Sequence, residues 1–564
     1  MPVPETATKT CSGNSEGRLR RRTAVLTGAF VALALSAMSA KAQDWPMFQG
    51  DPLHAGLAPN PIALPLSISW RHVTRRPISG VNLASPIVTR SLGTEPVGFF
   101  AARDMIASVR VGTGEARWYY PKEGNLGFGK QASIRTTPLY ANGTVYAGAT
   151  DGNLYAVQAN TGALLWQFPT PGNASITGSP IVVNGQIFFG TDRGAIIGLD
   201  AKTGKPIGSE IELFRAADAV VGSLAYADGF IYFVSRDQSV YALDLNKAIA
   251  PQEGRKKRRV IRWQYTLAAP PSYSSPVIAK ELLYIADGDS IVALTLSRGR
   301  RRWSFQADRA VSDTPAVTEQ GIFFGTREGS FYGLDLAGKQ KWKSETAGPA
   351  YASPVVARIA LSANSLMRKD APKWGVFVGS NRGFVYCLNV DDGRPLWIYK
   401  IRPADPVSTT VTNVVASPVV LGNQLLVLAD DGSLLAFSPA AVDRTPPLIW
   451  NELPDRATEI SGRPPITYSI NVADDGSGID PDSIVLSVDG RKLDYTYDEY
   501  RGLIYYKVSA AKAGSREPVQ PLPAGRHQVH AEVADWKGNR AVKDWSFPVN
   551  NSISDLRPLP YVRE

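Results

Sequence analysis

With 564 residues, the chain is too long for a single hydrophobic core unless a repeat spreads its apolar surface over many small stacked units. Two cysteines, Cys11 and Cys387, exclude a disulfide-built scaffold, and 50 glycines with 41 prolines favour short strands and tight turns over long helices. The formal charge of +10 speaks for solubility and anionic neighbours, not for a fold.

The chain opens with a polar stretch and a basic run, Arg18-Leu-Arg-Arg-Arg22, followed by apolar residues 23–38 and Ala40-Lys41-Ala42. This order is that of a signal peptide spanning 1–42, with cleavage before Gln43. The apolar run falls short of the roughly 20 residues a membrane span needs. The general export route and, from Arg21-Arg22, the twin-arginine route are both compatible with it. Removing 1–42 takes away six positive and two negative side chains, leaving about +6 and one cysteine. No later segment is apolar enough to span a membrane as a helix, so the expected location is the periplasm or the exterior.

From residue 85 onward a unit recurs. It begins with Ser/Thr-Pro, runs through an apolar strand to Gly, turns at Asp-Gly, continues as a Tyr-Ala-Leu-Asp-like strand and closes with Thr-Gly and a Trp. The clearest copy is Thr137-Pro138, Val145-Tyr-Ala-Gly148, Asp151-Gly152, Tyr155-Ala-Val157, Thr161-Gly162 and Trp166. The opening dipeptides are Ser85-Pro86, Thr137-Pro138, Ser179-Pro180, Ser223-Leu224, Ser275-Pro276, Thr314-Pro315, Ser353-Pro354 and Ser417-Pro418, mostly 39 to 52 residues apart. The last interval, 64 residues, holds an insertion at 358–373. Four strands at this period predict an all-β, eight-bladed propeller over 43–441. Asp-Gly turns supply the positive φ of two-residue hairpins.

One site in each third strand is small: Ser108, Ala156, Gly198, Ala242, Ala293, Gly333, Cys387 and Ala436. Close packing of neighbouring blades is the expected reason, which makes Cys387 a core residue and not a reactive thiol. Trp70 precedes the first unit and no Trp strand follows Ala436. The strand around Trp70 is therefore expected to complete the last blade beside 434–437 and remove the open edge.

Asp443-Arg-Thr-Pro-Pro447 breaks the repeat, making 442–447 a proline linker. Residues 448–550 alternate apolar and polar in strands such as 466–472, 484–488, 504–508 and 527–533, predicting a sandwich of about 100 residues. Residues 551–564 form a tail.

The repeat resembles the PQQ-like propeller shared by quinoprotein alcohol dehydrogenases and BamB-like assembly scaffolds, over about 44–440. Asp44-Trp-Pro-Met-Phe-Gln-Gly-Asp51 with His54 and Gly56 resembles the lead-in to its first blade. Asp474-Asp-Gly-Ser-Gly-Ile-Asp480, Asp489-Gly490 and Ala534-Asp-Trp-Lys-Gly-Asn539 resemble the turns of bacterial immunoglobulin-like domains. The dehydrogenase branch implies PQQ with calcium, carboxylate and amide ligands, a catalytic Asp and an adjacent-cysteine disulfide; the mature chain lacks the cysteines. Of the residues preceding the Ser/Thr-Pro dipeptides only Asp313 is charged, and Arg135 lies four blades away. Asp313 reads as a turn or strand carboxylate, or else as a channel residue. Asp474, Asp475 and Asp480 serve as turn builders or as calcium ligands. The histidines, His54, His72, His527 and His530, match no zinc spacing.

The sharpest surface feature is basic. Arg255, Lys256, Lys257, Arg258 and Arg259, together with Arg298, Arg300, Arg301 and Arg302, fall between the third and fourth strands of consecutive units, and so on one face. They are expected to be solvated, or to meet an envelope protein, an anionic polymer or a lipid surface. Nucleic acid is not expected, because no aromatics are interleaved for stacking. The sequence points to a non-catalytic, cofactor-free binding scaffold, with a PQQ-dependent oxidoreductase of divergent site as the alternative.

Overall fold

A computed structural model describes residues 44–74, 84–122, 133–208, 210–251, 259–271, 274–360, 372–404, 411–509 and 519–553. The predicted leader, the tail from 554 on and Arg255, Lys256, Lys257 and Arg258 lie outside them. The molecule is all-β, and among the described residues no helix is long and apolar enough to cross a membrane.

The chain forms a β-propeller of repeated antiparallel sheets. Sheets 1 to 8 are numbered here by the chain order of their Ser/Thr-Pro or Ser-Leu dipeptides; the inner strand starts directly after the dipeptide, except in sheet 4, where Val220–Ala227 contains it. Sheet 2 is representative: Leu139–Ala141, Thr144–Gly148, Asn153–Gln158 and Leu164–Pro169 pair in sequence order. The two middle strands are buried on both faces and read as apolar runs, while the fourth alternates with solvent, as the period of two requires. Sheet 8 is built from both ends of the repeat region: Ser67–Val73 pairs with Ser433–Ser438, Trp70 opposite Ala436 and His72 opposite Leu434.

Tryptophan joins the sheets. The indole N–H of Trp118 donates to Ala159 O (2.8 Å), that of Trp263 to Leu296 O (2.7 Å) and that of Trp342 to Val390 O (2.8 Å), each acceptor in the next sheet. Trp70, in sheet 8, donates to Val111 O in sheet 1 (2.9 Å). The glycine of each Thr-Gly-type turn lies under the preceding indole. At Gly299 (φ +65°) a Cβ would stand 2.4 Å from the Trp263 ring, so both the conformation and the contact demand glycine.

The small third-strand residues do pack against the next sheet, Ala156 with Ile187 and Ile197, Ala242 with Leu283 and Ala293 with Ile322, and they have a second reason to be small. Ala156, Ala242, Ala293, Gly333, Cys387 and Ala436 each pair with the Trp of their own sheet. A Cβ on Gly333 would lie 2.3 Å from Trp342. The indole folds back over its own sheet and leaves no room for a larger cross-strand partner.

After the propeller, Leu448–Leu453, Ile466–Ala473, Leu503–Val508 and Thr496–Asp498 form one sheet. Arg491–Lys492, Val485–Val488, Gly525–Ala534 and Arg540–Val549 form another. They share a core of Tyr468, Ile470, Leu486, Val529, Trp545 and Phe547, among others.

Candidate functional site

The axis of the propeller explains the Ser/Thr-Pro motif. The backbone N–H of Ser85 donates to Thr137 Oγ1 (2.9 Å), Thr137 N–H to Ser179 Oγ (2.8 Å), Ser179 N–H to Ser223 Oγ (3.2 Å), Ser223 N–H to Ser275 Oγ (2.8 Å) and Ser275 N–H to Thr314 Oγ1 (2.9 Å). Ser417 N–H donates to Ser85 Oγ (3.1 Å), carrying the relay from sheet 8 back to sheet 1. Each hydroxyl satisfies a buried amide of the preceding sheet, which an apolar residue cannot do.

A second ring of bonds comes from the lead-in segment. Trp45 exchanges both backbone bonds with Val88, and the carbonyls of Pro46, Pro52, Leu53, Ala55 and Gly56 accept from Tyr140, Tyr226, Ile278, Val317 and Val356. Every partner stands three residues after its Ser/Thr, so 45–58 walks around the inner strands of sheets 1, 2, 4, 5, 6 and 7. It then pairs in parallel with Ile359–Ala360 through Ile62–Ala63. Its Trp45, Met47, Phe48, Gln49 and His54 are buried. His54 Nδ1 lies 2.9 Å from Pro276 O, and burial pulls its pKa down to about 4, keeping the ring neutral.

Among the described residues, a cavity of about 10 Å³ lies at the axis, room for about one water, lined by Phe48, Gly178, Gly222, Asp313 and the inner hydroxyls. Asp313 is 2% exposed and neither carboxylate oxygen closes an ordinary hydrogen bond. Burial pushes its pKa well above the usual carboxylate range, the Gly325 amide pulling only weakly the other way. Burial thus favours the uncharged form of this carboxyl. Arg135, of sheet 2, is exposed.

These residues do not fit PQQ with calcium. A fused-ring quinone needs a pocket of hundreds of cubic ångströms, and calcium needs several converging oxygen ligands, whereas this lining has one carboxyl, held toward its uncharged form. Cys387 is buried and free, its thiol pushed up by burial, in keeping with a core role.

Of the basic patch, Arg259, Arg298, Arg300, Arg301 and Arg302 are described and exposed. Arg298 and Arg300 lie in the turn, but Arg301 and Arg302 already belong to the strand Arg301–Gln306, so that run is part loop and part sheet edge. Arg262 knits the two hairpins: its guanidinium stacks over Phe230 (4.6 Å) and donates to Ser297 O (3.1 Å).

The C-terminal sheets meet the outer strand of sheet 7, Pro395–Lys400. Trp397 N–H donates to both Leu66 O and Ser477 O (3.0 Å each), Tyr399 O–H to Asp475 O (2.9 Å), and Trp536 N–H to Ile398 O (3.1 Å). Arg402 and Asp475 pair at 2.7 Å. Of the three acids singled out as possible calcium ligands, Asp475 is therefore spent on this contact and Asp480 on capping the turn at Asp482. The acids that do converge are Asp443, Asp474 and Asp535, one oxygen of each within 4.8 Å of the others. Asp474 accepts from the amides of Gly476, Ser477 and Gly478, and Asp535 from Lys537 and Asn539. Burial, then the Asp443 and Asp535 charges, push Asp474 up to about 6. His527 bonds Asp489 (2.6 Å) and Pro523 O, and His530 bonds Asp544, so neither histidine is a ligand in waiting.

The family model for the outer membrane protein assembly factor BamB matches residues 75–248 and 247–462. The chain belongs to this BamB-like PQQ-repeat family. No curated protein matches it in sequence. Among solved structures, quinohemoprotein alcohol dehydrogenase from Comamonas testosteroni is similar at 14% identity and TM-score 0.54, covering 74% of this chain and 83% of that one. Its counterpart from Pseudomonas putida HK5 gives 13% and 0.51 over the same shares. BamB from Moraxella catarrhalis gives 15% identity and 0.35, over 66% of this chain and 100% of that one. At these identities the dehydrogenase likeness concerns the fold alone.

Proposed function

We propose that the chain is a non-catalytic binding scaffold of the bacterial cell envelope that presents propeller loops to a protein partner. Its parts are a signal peptide at 1–42, an eight-bladed propeller at 43–441, a proline linker at 442–447, an immunoglobulin-like domain at 448–550 and a tail. The octet is supported by the eight opening dipeptides, by the hydroxyl relay that returns from Ser417 to Ser85, and by Trp70 lodging on sheet 1.

One observation carries the reading: 45–58 runs across the inner strands of six sheets, and the cavity beside it that Asp313 lines has room for about one water where the alternative needs a quinone. A propeller threaded in this way is rigid, needs no cofactor and has its rims and edges to offer. The exposed Arg259 and Arg298 to Arg302 edge, continued in sequence by 255–258, suits a partner with an acidic surface or an anionic polymer or lipid surface.

The test has two arms. Purified protein is incubated with PQQ and calcium, and absorbance and dye reduction with alcohols and sugars are followed; the scaffold reading expects neither a stoichiometric quinone spectrum nor turnover, and either would overturn it. Affinity capture from envelope extract should recover a defined protein whose retention weakens with salt.

A further inference from the structure

Where the outer strand of sheet 7 meets the C-terminal sheets, a cavity of about 350 Å³ lies between the two. That volume is in the range of small organic ligands, and about 35-fold above that of the axial cavity beside Asp313. Much of its wall is apolar, formed by Ile398, Trp450, Ile479 and Pro481, and Trp450 is left 39% exposed.

The charges lining it do not cancel. Arg402 is held by Asp475 at 2.7 Å and Arg501 lies 3.8 Å from Asp498. Asp474 is occupied by three backbone amides. Glu499 is pushed up by burial, against the Tyr386 hydroxyl, toward its uncharged form. Lys400 is the remaining cation. Its ammonium donates to Tyr500 O and sits over the rings of Phe384 (5.4 Å) and Tyr500 (5.1 Å), with no carboxylate at ion-pair distance among the described residues. Asp498 acts on this partly buried ammonium only from beyond ion-pair distance, so one carbonyl and two ring faces leave much of its desolvation to be offset by an anion.

We propose that this cavity binds a small organic monocarboxylate, its carboxylate on Lys400 and its apolar body against Trp450, Ile479 and Pro481. The proposal does not depend on the scaffold reading: a ligand here leaves the axis untouched, and a quinone at the axis would leave this site as it is.

Calorimetric titration of the full-length protein with 4-phenylbutyrate and with its uncharged amide tests it. The acid is expected to bind saturably at one site and the amide at least about tenfold more weakly. Lys400→Met should weaken the acid about tenfold or more and leave the amide unchanged, while Trp450→Ala weakens both. Because Lys400 also contacts Tyr500, thermal melting and trypsin resistance at Arg444 check that the domain remains seated. Should that variant unfold, Ile479→Trp fills the cavity from the opposite wall and should abolish binding of the acid. No saturable binding of the acid, equal affinity for acid and amide, or binding that survives Ile479→Trp overturns the proposal.

Discussion

The outer strands of sheets 5 and 7 occupy the same place in the repeat and have opposite fates. Arg301–Gln306 alternates half-buried Trp303 and Phe305 with exposed Arg302, Ser304 and Gln306, as an edge facing water must. Pro395–Lys400 keeps the tryptophan but replaces the next, outward residue with Ile398, which is 5% exposed. The equivalent residues of sheets 2, 4, 5 and 6, Gln167, Gln264, Ser304 and Lys343, are exposed, and those of sheets 1 and 8, Tyr119 and Arg71, are half-buried. A single outward isoleucine, covered by Trp536, marks the edge on which the C-terminal sheets are seated. The difference teaches that a repeat records its own interfaces as departures from its consensus.

Removing the shared residue should separate the two edges most. Trp397→Ala strips a fully buried indole whose N–H serves two carbonyls, one in the strand-closing segment and one in the C-terminal region, and should cost about 3–5 kcal/mol in denaturant unfolding. Trp303→Ala, half-buried, should cost roughly half of that or less. Equal losses would mean that sheet 7 gains nothing from its cover.

Converting one edge into the other comes next. Ile398→Lys places an ammonium against Trp536 and should cost about 2–4 kcal/mol, seen as faster tryptic cleavage at Arg444 in the linker. Ser304→Ile should change stability by no more than about 0.5 kcal/mol while promoting self-association by light scattering.

The covered edge should also be the pH-sensitive one. Asp474 stands at about 6 when folded, against roughly 3.9 unfolded, so its contribution is fully present below the unfolded value and is lost as pH rises through about 6. Asp443→Asn removes a like charge and should flatten that decline, an effect of order 1 kcal/mol or less after allowing for partial exposure. Melting curves at pH 5 and pH 8 for both proteins check it; a parallel decline in the variant would assign the pH dependence elsewhere.

The smallest effect on stability belongs to the uncovered edge. Replacing Arg298, Arg300, Arg301 and Arg302 with Gln should shift unfolding by no more than about 0.5 kcal/mol, since none is ion-paired among the described residues. The same change should reduce salt-sensitive retention of a captured partner.

Much of this was legible because repetition supplies its own comparison set. The opening dipeptides located the sheets, and the surplus tryptophan at Trp70 located the strand that joins Ser433–Ser438. What escaped was whatever occurs once. Residues 45–58 have no period, and their bonds to six sheets run through backbone carbonyls, which leave no mark on side-chain choice. Asp443, Asp474 and Asp535 come from three distant turns, each of which accounts locally for its own acid. The small third-strand residues and the neighbouring sheet that presses on them were visible, but the indole of their own sheet was not, because both select for the same small side chains.

The path of 45–73 also sets an order of events during synthesis. These residues leave the ribosome before any of the eight repeat units, yet their partners are Val88, then Tyr140, then sheets 4 to 7, and last Ser433–Ser438. The leading stretch must wait unpaired for some 360 residues before its final strand finds a place, so any nascent chain cut short of residue 433 carries an unfinished edge and a loose centre.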